Sequence, residues 1–390
     1  MTLRLADDTL FFHHFGVGTP FRVGVEEQLF LVDPGAHHVS ASTDELLAAL
    51  GRRRCALPGR VIGELFDGVV ELATPVCASA DEVANALWAL RSAVLAEGPA
   101  LLGAGLHPGA AFGDVRHRGD VHYAAVGEDT RGVLRQSTFC GVHVHVAMPD
   151  PETAIVAYNG MRKWVPLLRA LGANSPFWHG QDSGLASART VRVHDAPRSG
   201  LPRAFEGWGD YCDTMRELVR VADVDGLESL WWDVRPHPRL GTLEVRVLDG
   251  QSSLEELRGL VALIHCLAYH EALVGDPSHP TKEVLDEACF HAIRDGLDAR
   301  LSVGGPVQHA QALARQALDL AYGYAPVLAC DRALDAVERL LADGNGADRQ
   351  RRTFTSGGID AVLDQLVAET SRPARSLRPA VRDGAPVRTG

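Results

Sequence analysis

The chain has 390 residues, of which 46% are hydrophobic and 23% are charged, a balance typical of a globular protein with one large domain or two of ordinary size. Its formal net charge of −12 argues against nucleic acid as the main partner. Because no uninterrupted apolar run approaches the length of a bilayer-spanning helix, we expect no membrane span.

Alternation of apolar and polar residues predicts strands in the first 250 residues, and helical periodicity dominates afterwards. The predicted strands cover residues 21–32, 68–73, 138–148 and 241–248. Amphipathic helices are predicted over 43–50, 80–97 and 153–171, the last two after the N-cap candidates Ser79 and Asp150. Further helices are predicted over 254–274, 282–301, 307–320, 330–343 and 358–370.

This order of elements favours an α+β fold in which helices pack around a largely antiparallel sheet. We expect one catalytic domain over residues 21–370, after an N-terminal segment of residues 1–20. The tail, residues 371–390, is rich in arginine and proline and is expected to be disordered.

Charged side chains interrupt four segments where apolar residues belong. Glu26 shares a strand face with Gln28, whereas Glu27 points to the opposite face. Glu64 and Glu71 frame a second apolar run. On two later strands the residues that share a face are His143 with His145, and Thr242 with Glu244 and Arg246.

Each of these segments alone has an ordinary explanation, such as a solvated strand face or a hydrogen-bonded histidine pair. Together they predict a concave sheet lined with metal ligands. Burying a carboxylate costs several kcal/mol of folding free energy unless the group is paired or bound to metal. Such an oxygen-rich set favours Mg²⁺ or Mn²⁺ over zinc, and Mg²⁺ in turn suits phosphates. A Walker A motif, a kinase signature and a GxSxG nucleophile elbow are all missing from the sequence.

Two long motifs are SPFWHGQDSGLASAR at 175–189 and WWDVRPHPRLGTLEVRVLD at 231–249. Shorter ones are VGVEEQLFLVDP, ELFDGVVELATPVC and GVHVHV. In this order they resemble the bacterial carboxylate–amine ligases often called glutamate–cysteine ligase type 2, over nearly the whole chain. The resemblance implies a glutamine-synthetase-like fold, in which an antiparallel sheet forms an open funnel.

The resemblance also implies the chemistry. Such enzymes use ATP and Mg²⁺ to phosphorylate a carboxylate, commonly the γ-carboxylate of glutamate, and an amine such as that of cysteine then attacks the acyl phosphate. By motif matching, the metal ligands would be Glu26, Glu64, Glu71, His143 and Glu244. The implied catalytic residues are Arg246 and Arg189, and the implied substrate-binding residues are Arg235, Trp232 and Trp178. Core packing explains both tryptophans equally well, and structural ion pairs are an alternative for Arg189 and Arg235.

The chain departs from the family pattern at three polar positions. It has Gln28 in place of a glutamate, His122 in place of an arginine and Ala288 in place of an asparagine. Because an amide brings no charge, we expect one metal site to be weakened. The leading hypothesis is therefore an ATP-dependent carboxylate–amine ligase with weak glutamate–cysteine ligase activity. Two alternative functions stay open, of which the second rests on these three departures. One is a metal-dependent amide hydrolase that uses His143 and His145 with Glu71 or Glu244, and the other is a non-catalytic binder of an amino acid or nucleotide.

The expected partners are small molecules, and related enzymes make a homodimer possible. The seven cysteines are scattered and never spaced as CxxC, which is typical of reduced, mostly buried thiols. The N-terminus lacks a basic stretch followed by an apolar one, so nothing marks it for secretion. Both features predict a cytoplasmic protein.

Overall fold

The computed structural model describes residues 11–111, 117–118, 130, 132, 138–224, 226–275 and 279–375. Its centre is a seven-stranded sheet with the order β10-β11-β5-β1-β3-β2, in which β4 also pairs with β1. Every pairing in this sheet is antiparallel. The strands are β1 (Val23–Val32), β2 (Arg60–Gly63), β3 (Val69–Ala73), β4 (Ala100–Leu102), β5 (Gly141–Ala147), β10 (Val234–His237) and β11 (Thr242–Asp249).

Within the described residues, six short strands lie outside the sheet and form three two-stranded pairs. They are β6 (Phe177–Trp178) with β7 (Gln181–Asp182), β8 (Ser199–Gly200) with β9 (Trp231–Trp232), and β12 (Arg300–Leu301) with β13 (Gln308–His309). The helices are α1 (Thr43–Gly51), α2 (Ala80–Leu95), α3 (Pro151–Arg162), α4 (Val165–Gly172), α5 (Ala188–His194), α6 (Trp208–Ala222), α7 (Leu254–Val274), α8 (Lys282–Asp295), α9 (Ala310–Leu328), α10 (Asp331–Asp343) and α11 (Gly346–Thr370).

The two faces of β1 have different roles, as its alternation predicts. Residues Val23, Val25, Leu29 and Leu31 enter the large hydrophobic core that α2 and α7 help to form. Glu27 lies on that same face, where it pairs with Arg91 of α2. The opposite face carries Glu26 and Gln28, followed by Phe30 and Val32 in a second, smaller core. One strand therefore supplies both the core and the polar surface.

Strand register gathers the polar residues of the sheet on that second face. Glu26 lies opposite His143, and Gln28 lies opposite Glu71. Glu244 lies opposite His145 on one side and opposite Arg235 on the other. Because directly opposed residues of antiparallel strands point to the same face, the alternating polar positions predicted from sequence become neighbours. A register shift between Val245 and Leu248 places Arg246 at a bulge, where such shifts re-aim side chains.

Several of the predicted helix ranges are confirmed, and other helices begin or end at different residues for local reasons. The N-caps are confirmed, since Ser79 Oγ accepts from the N–H of Glu82 at 3.3 Å and Asp150 Oδ1 accepts from that of Thr153 at 2.8 Å. The predicted helix over 153–171 is wrong as a single element, because Pro166 has no N–H and its ring would clash with the carbonyl of residue 162. The helix predicted over 282–301 ends at Asp295, because Gly296 adopts a φ of +56°.

The helices predicted over 307–320 and 358–370 are longer than expected. Helix α9 continues to Leu328, and α11 begins at Gly346 rather than at 358. Its kink falls at Gly358, which has a φ of +73°. The Gly-Gly break in the sequence therefore marks a kink and not a helix start. Residues 376–390 of the predicted tail lie outside the described part of the chain, and the predicted domain boundaries stay a prediction.

Helix α7 has 21 residues and is long and apolar enough, by length and composition alone, to cross a membrane. However, 72% of its most apolar stretch is buried inside the protein, where it packs against α2, α3, α9 and α10. A core helix meets the same criterion, and this packing indicates that role for α7.

Candidate active site

A cavity of about 280 Å³ opens on the polar face of the sheet. The sheet side of its lining comprises Glu26, Gln28, Glu64, Glu71, His143 and Arg246. The other wall comes from Arg169, from four residues of α5, and from a segment around β9. These residues of α5 are Arg189, Thr190, Val193 and His194, and those around β9 are Glu228, Ser229, Trp231, Trp232 and Asp233. Four of the five predicted metal ligands and both predicted catalytic arginines therefore line one cavity.

Two groups of potential metal ligands lie on this face, and each has its ligand atoms within 4.8 Å of one another. The first ligand group is Glu26, Glu71 and His143, and the second ligand group is Glu26, His145 and Glu244. Glu26 belongs to both groups because it lies on the central strand β1, beside β5. His145 was missing from the predicted set, although alternation places it on the same strand face as His143.

The orientation of His145 leaves one ring nitrogen for a ligand. Its Nδ1 lies 3.0 Å from the hydroxyl of Thr242, and its buried Nε2 has no hydrogen-bond partner in the described part of the chain. Nε2 lies 3.6 Å from Glu26 Oε2 and 3.8 Å from Glu244 Oε1. A buried ring nitrogen without a partner, facing two carboxylates, fits a cation in the second ligand group.

The first ligand group carries a concentration of acidic groups. Burial raises the pKa of Glu71 well above its ordinary value, and the neighbouring Glu64 and Glu26 raise it further. Burial also opposes ionisation of Glu26, yet its hydrogen bond with His143 and the proximity of the His145 imidazole lower the pKa of this carboxyl. A divalent cation would relieve the repulsion at Glu71.

The surroundings of His143 keep its imidazole neutral. Its Nδ1 lies 3.1 Å from Glu26 Oε2, and burial together with the charge of Arg246 lowers the pKa of its imidazole to about 4. A metal ligand must be an unprotonated imidazole, so this environment prepares His143 for coordination at neutral pH.

Glu244 is buried beneath the site, with 1% of its side chain exposed, and lies between two arginines. Arg235 Nε donates to Glu244 Oε2 at 2.5 Å, and Arg246 donates to Glu244 Oε1. Although burial opposes ionisation, these two guanidinium groups lower the pKa of Glu244 well below its ordinary value. Glu244 therefore holds both arginines in place as well as contributing to the second ligand group.

Arg189 belongs to the cationic part of the lining. Its Nη1 lies 3.8 Å from Asp249 Oδ1, and its buried Nε has no hydrogen-bond partner among the residues described. Burial lowers the pKa of its guanidinium, and the nearby charges of Arg169 and Arg246 lower it further. A side chain at position 141 would place its Cβ 2.1 Å from Arg189 Nη2, so the glycine allows this close approach. An anionic substrate group would satisfy this cluster of positive charge.

The remaining predicted residues occupy different surroundings. Trp232 lines the cavity and also a second one of about 200 Å³, which Arg235 helps to line. Trp178 is absent from both linings and stacks on His179, with Arg192 over its ring at 4.5 Å. The proposed pocket role of Trp178 therefore finds no support in its position.

Two of the three departures from the family pattern can be located. Ala288 is buried in the hydrophobic core on α8, and position 122 lies outside the described residues. Gln28 lines the cavity, where its Nε2 donates to Glu64 Oε1 at 2.8 Å and its Oε1 accepts from the N–H of Gly141 at 2.9 Å. Glu64 thus lies beside the ligand groups but belongs to neither, because Gln28 and the N–H of Leu65 engage its oxygens.

Replacing Gln28 with glutamate tests this arrangement. The variant loses the donor to Glu64 and adds a carboxylate beside Glu64 and Glu71, so without metal we expect a lower thermal midpoint. With Mg²⁺ present, the added charge should reduce the concentration needed for half-maximal activity. The measurements are thermal unfolding with and without Mg²⁺ and a Mg²⁺ titration of activity. Gln28→Met, which removes the same hydrogen bonds without adding charge, is the control, and an unchanged Mg²⁺ titration for Gln28→Glu would mean that residue 28 does not influence the metal.

The donor chemistry of the two ligand groups fits the metal expected from the motifs. Three carboxylates favour Mg²⁺ or Mn²⁺, and the two imidazoles complete the sets. The residues that would hold the metal are Glu26, Glu71, His143, His145 and Glu244.

Comparison with known proteins identifies the family. Residues 22–369 match the family described as glutamate–cysteine ligase family 2. A protein of Rubrobacter xylanophilus named "Putative glutamate–cysteine ligase 2-3" is 38% identical over 367 residues, which cover 92% of this chain and 99% of that one. The glutamate–cysteine ligase of Halobacterium salinarum is 34% identical over 360 residues, covering 88% and 96%.

Solved structures share the fold at low sequence identity. The glutamate–cysteine ligase of Francisella tularensis in complex with AMP has a TM-score of 0.68 at 14% identity, covering 94% of this chain and 91% of that one. The ligase PafA, in complex with the ubiquitin-like protein Pup, has a TM-score of 0.50 at 15% identity, covering 93% and 74%. The glutamine-synthetase-like fold predicted from the motifs is confirmed. By its sequence relatives, the chain belongs to glutamate–cysteine ligase family 2 and is a carboxylate–amine ligase of the class that forms C–N bonds.

Proposed function

We propose that the protein couples ATP hydrolysis to amide formation between the γ-carboxylate of glutamate and an amine such as that of cysteine, through a γ-glutamyl phosphate. The observation that carries this proposal is one cavity in which two ligand groups sharing Glu26 face Arg246 and Arg189. The name of the Halobacterium relative and the AMP bound to the Francisella ligase support the choice of substrates.

The charges of the cavity suit this chemistry. Phosphoryl transfer to glutamate brings a triphosphate beside a carboxylate, and these negative groups repel each other. When bound, Mg²⁺ or Mn²⁺ would neutralise part of that charge. Because Arg246 is fixed by Glu244 and lines the cavity, it would stabilise the transferring phosphoryl group. Arg189 would bind a substrate carboxylate or phosphate, since its Nε has no hydrogen-bond partner in the described part of the chain.

The test is ADP release from ATP and Mg²⁺, measured with glutamate alone and with a panel of amines that includes cysteine. We expect ADP formation that depends on glutamate and increases with the amine, together with an amide product detected by mass spectrometry. No ADP with any carboxylate–amine pair would contradict the proposal. Amide cleavage without ATP, abolished by a chelator, would instead support the metal-dependent hydrolase.

Binding of Mg²⁺-ATP, which calorimetry can detect, would support the non-catalytic alternative if no turnover accompanied it. The proposal also includes a cytoplasmic location and a catalytic domain over residues 21–370. It further includes a homodimer, and size-exclusion chromatography with light scattering measures that oligomeric state directly.

A further inference from the structure

A histidine outside the family motifs faces the cavity from α5. His194 is the last residue of that helix and lines the cavity with its neighbour Val193 and with Thr190, which lies one helical turn before it. Its side chain keeps 29% exposure, so it can reach a bound molecule. The wall that carries it is separate from the strands that carry the two ligand groups.

Two buried residues fix the orientation of this imidazole. His194 Nε2 lies 3.1 Å from Asp233 Oδ1. The other oxygen of this carboxylate, Oδ2, lies 2.5 Å from Arg169 Nη2; the two groups form an ion pair, although the angle between them is not that of a hydrogen bond. Arg169 Nη1 donates to the hydroxyl of Thr190 at 3.0 Å, which ties the pair to α5. Burial opposes ionisation of Asp233, but the positive charge of Arg169 lowers the pKa of its carboxyl, so the carboxyl is ionised at neutral pH. The residues Arg169, Asp233 and His194 form what we call the histidine relay.

Two contacts compete for His194 Nε2, since Asp233 Oδ1 and Arg169 Nη2 each lie 3.1 Å from it. A guanidinium can only donate, so the Arg169 contact requires an unprotonated Nε2, whereas the Asp233 contact requires a protonated one. Proton transfer to Nδ1 requires the protonated form of Nε2. An ionised carboxylate beside Nε2 favours a proton on that nitrogen, because two lone pairs would repel each other. The N–H of Nε2 then donates to Asp233, and Nδ1 is left to accept a proton. This is the arrangement by which a carboxylate orients a general base.

The ligase reaction needs such a base. At neutral pH an amine acceptor is an ammonium ion, whose nitrogen has no lone pair for attack. The arginines of the cavity cannot accept a proton, and the residues of the two ligand groups would hold the cation. Of the other acids that line the cavity, Glu64 accepts hydrogen bonds from Gln28 and Leu65, Asp233 is paired with Arg169, and Glu228 is paired with Arg239. We propose that His194 accepts the proton that the incoming ammonium loses before its nitrogen attacks the acyl phosphate, an inference that rests on the proposed ligase function.

The step balances in protons and electrons. One ammonium proton passes to His194 Nδ1, and the freed lone pair forms the C–N bond to the acyl carbon. The bond between that carbon and the phosphate oxygen breaks, and the leaving phosphate takes its electron pair. The second proton lost by the nitrogen passes to the departing phosphate, which leaves a neutral amide.

The experiment compares acceptors that differ in protonation. Ammonium and cysteine carry the extra proton at pH 7, whereas hydroxylamine is largely neutral and forms a hydroxamate that ferric ion makes visible. We expect His194→Gln to lower amide formation from ammonium and cysteine by about 10²–10⁴-fold. Hydroxamate formation should remain close to that of the unaltered protein. His291→Gln, which changes a histidine outside the cavity, should leave both rates unchanged.

A second variant covers the case in which glutamine disturbs the relay. His194→Ala leaves space for a free imidazole, and added imidazole should restore amide formation from ammonium. Equal loss with hydroxylamine and with the protonated amines would make His194 a structural residue and overturn the proposal, as would unchanged rates with all of them. If the unaltered protein forms neither amide nor hydroxamate, the proposed ligase function fails instead, so the two failures are distinguishable.

Discussion

Replacing Glu26 with glutamine is expected to lower ADP formation on the order of 10²-fold or more, with little change in folding. Glu26 is the one residue common to both ligand groups, so the neutral amide removes charge from both at once. Its side chain is 28% exposed, and the variant preserves its size. Calorimetric titration with Mg²⁺, or with Mn²⁺ as a spectroscopic substitute, should show weaker binding in parallel with the lost activity.

The matched control is Glu228→Gln. Glu228 lines the same cavity but belongs to neither ligand group, and its carboxylate pairs with the exposed Arg239 at 2.8 Å. We expect this variant to keep its Mg²⁺ affinity and most of its activity. Equal losses for both variants would show that the cavity responds to total negative charge, and the assignment of Glu26 as a shared ligand would then be wrong.

The second large effect concerns stability. Arg91 is fully buried, and its guanidinium donates to both oxygens of Glu27 and to the carbonyls of Gln251, Ser252 and Thr370. It therefore joins α2, β1, the segment after β11 and the end of α11. Arg91→Met leaves Glu27 as an uncompensated buried charge, so we expect the free energy of unfolding to fall by about 3–5 kcal/mol. Denaturant or thermal unfolding measures this directly.

Two further variants separate the contributions to this loss. In the double variant Arg91→Met with Glu27→Met, no charge is left unpaired, and a large part of the lost stability should return. Arg220→Ala removes an exposed arginine that lies 3.9 Å from Glu217, and it should cost at most about 1 kcal/mol. If Arg91→Met were no more destabilising than Arg220→Ala, the buried ion pair would not hold these elements together.

The sequence was most informative where polar residues break a strand pattern. Strand alternation placed Glu26 and Gln28 on one face and Glu27 on the other, as the two faces of β1 confirm. Alternation is a property of the backbone, so it can be read without knowing what lies across the strand. The same rule places His145 beside His143, and its omission from the predicted ligands was avoidable.

Helix boundaries were predictable where a local signal decides them. The caps at Ser79 and Asp150 involve residues within three positions, and both were predicted. The glycines at 296 and 358 also act locally, through positive φ angles, but Gly296 ends a helix that was predicted to continue and Gly358 kinks a helix that was predicted to begin there. Pro166 is also a local signal for a helix boundary, but the amphipathic pattern continues over 153–171 and led to the prediction of one helix where the structure has two.

The sequence by itself determined the fold class, the family and the chemical character of the sheet face, because these depend on local periodicity and on motifs. Only the tertiary structure decided which residues meet. Strand register makes Glu26 common to two ligand groups, and Gln28 engages Glu64 across 36 residues. His194 acquires its partner Asp233 across 39 residues, through the packing of α5 against the segment after β9. Such pairs are formed by packing between distant segments, and no short-range pattern in the sequence encodes them.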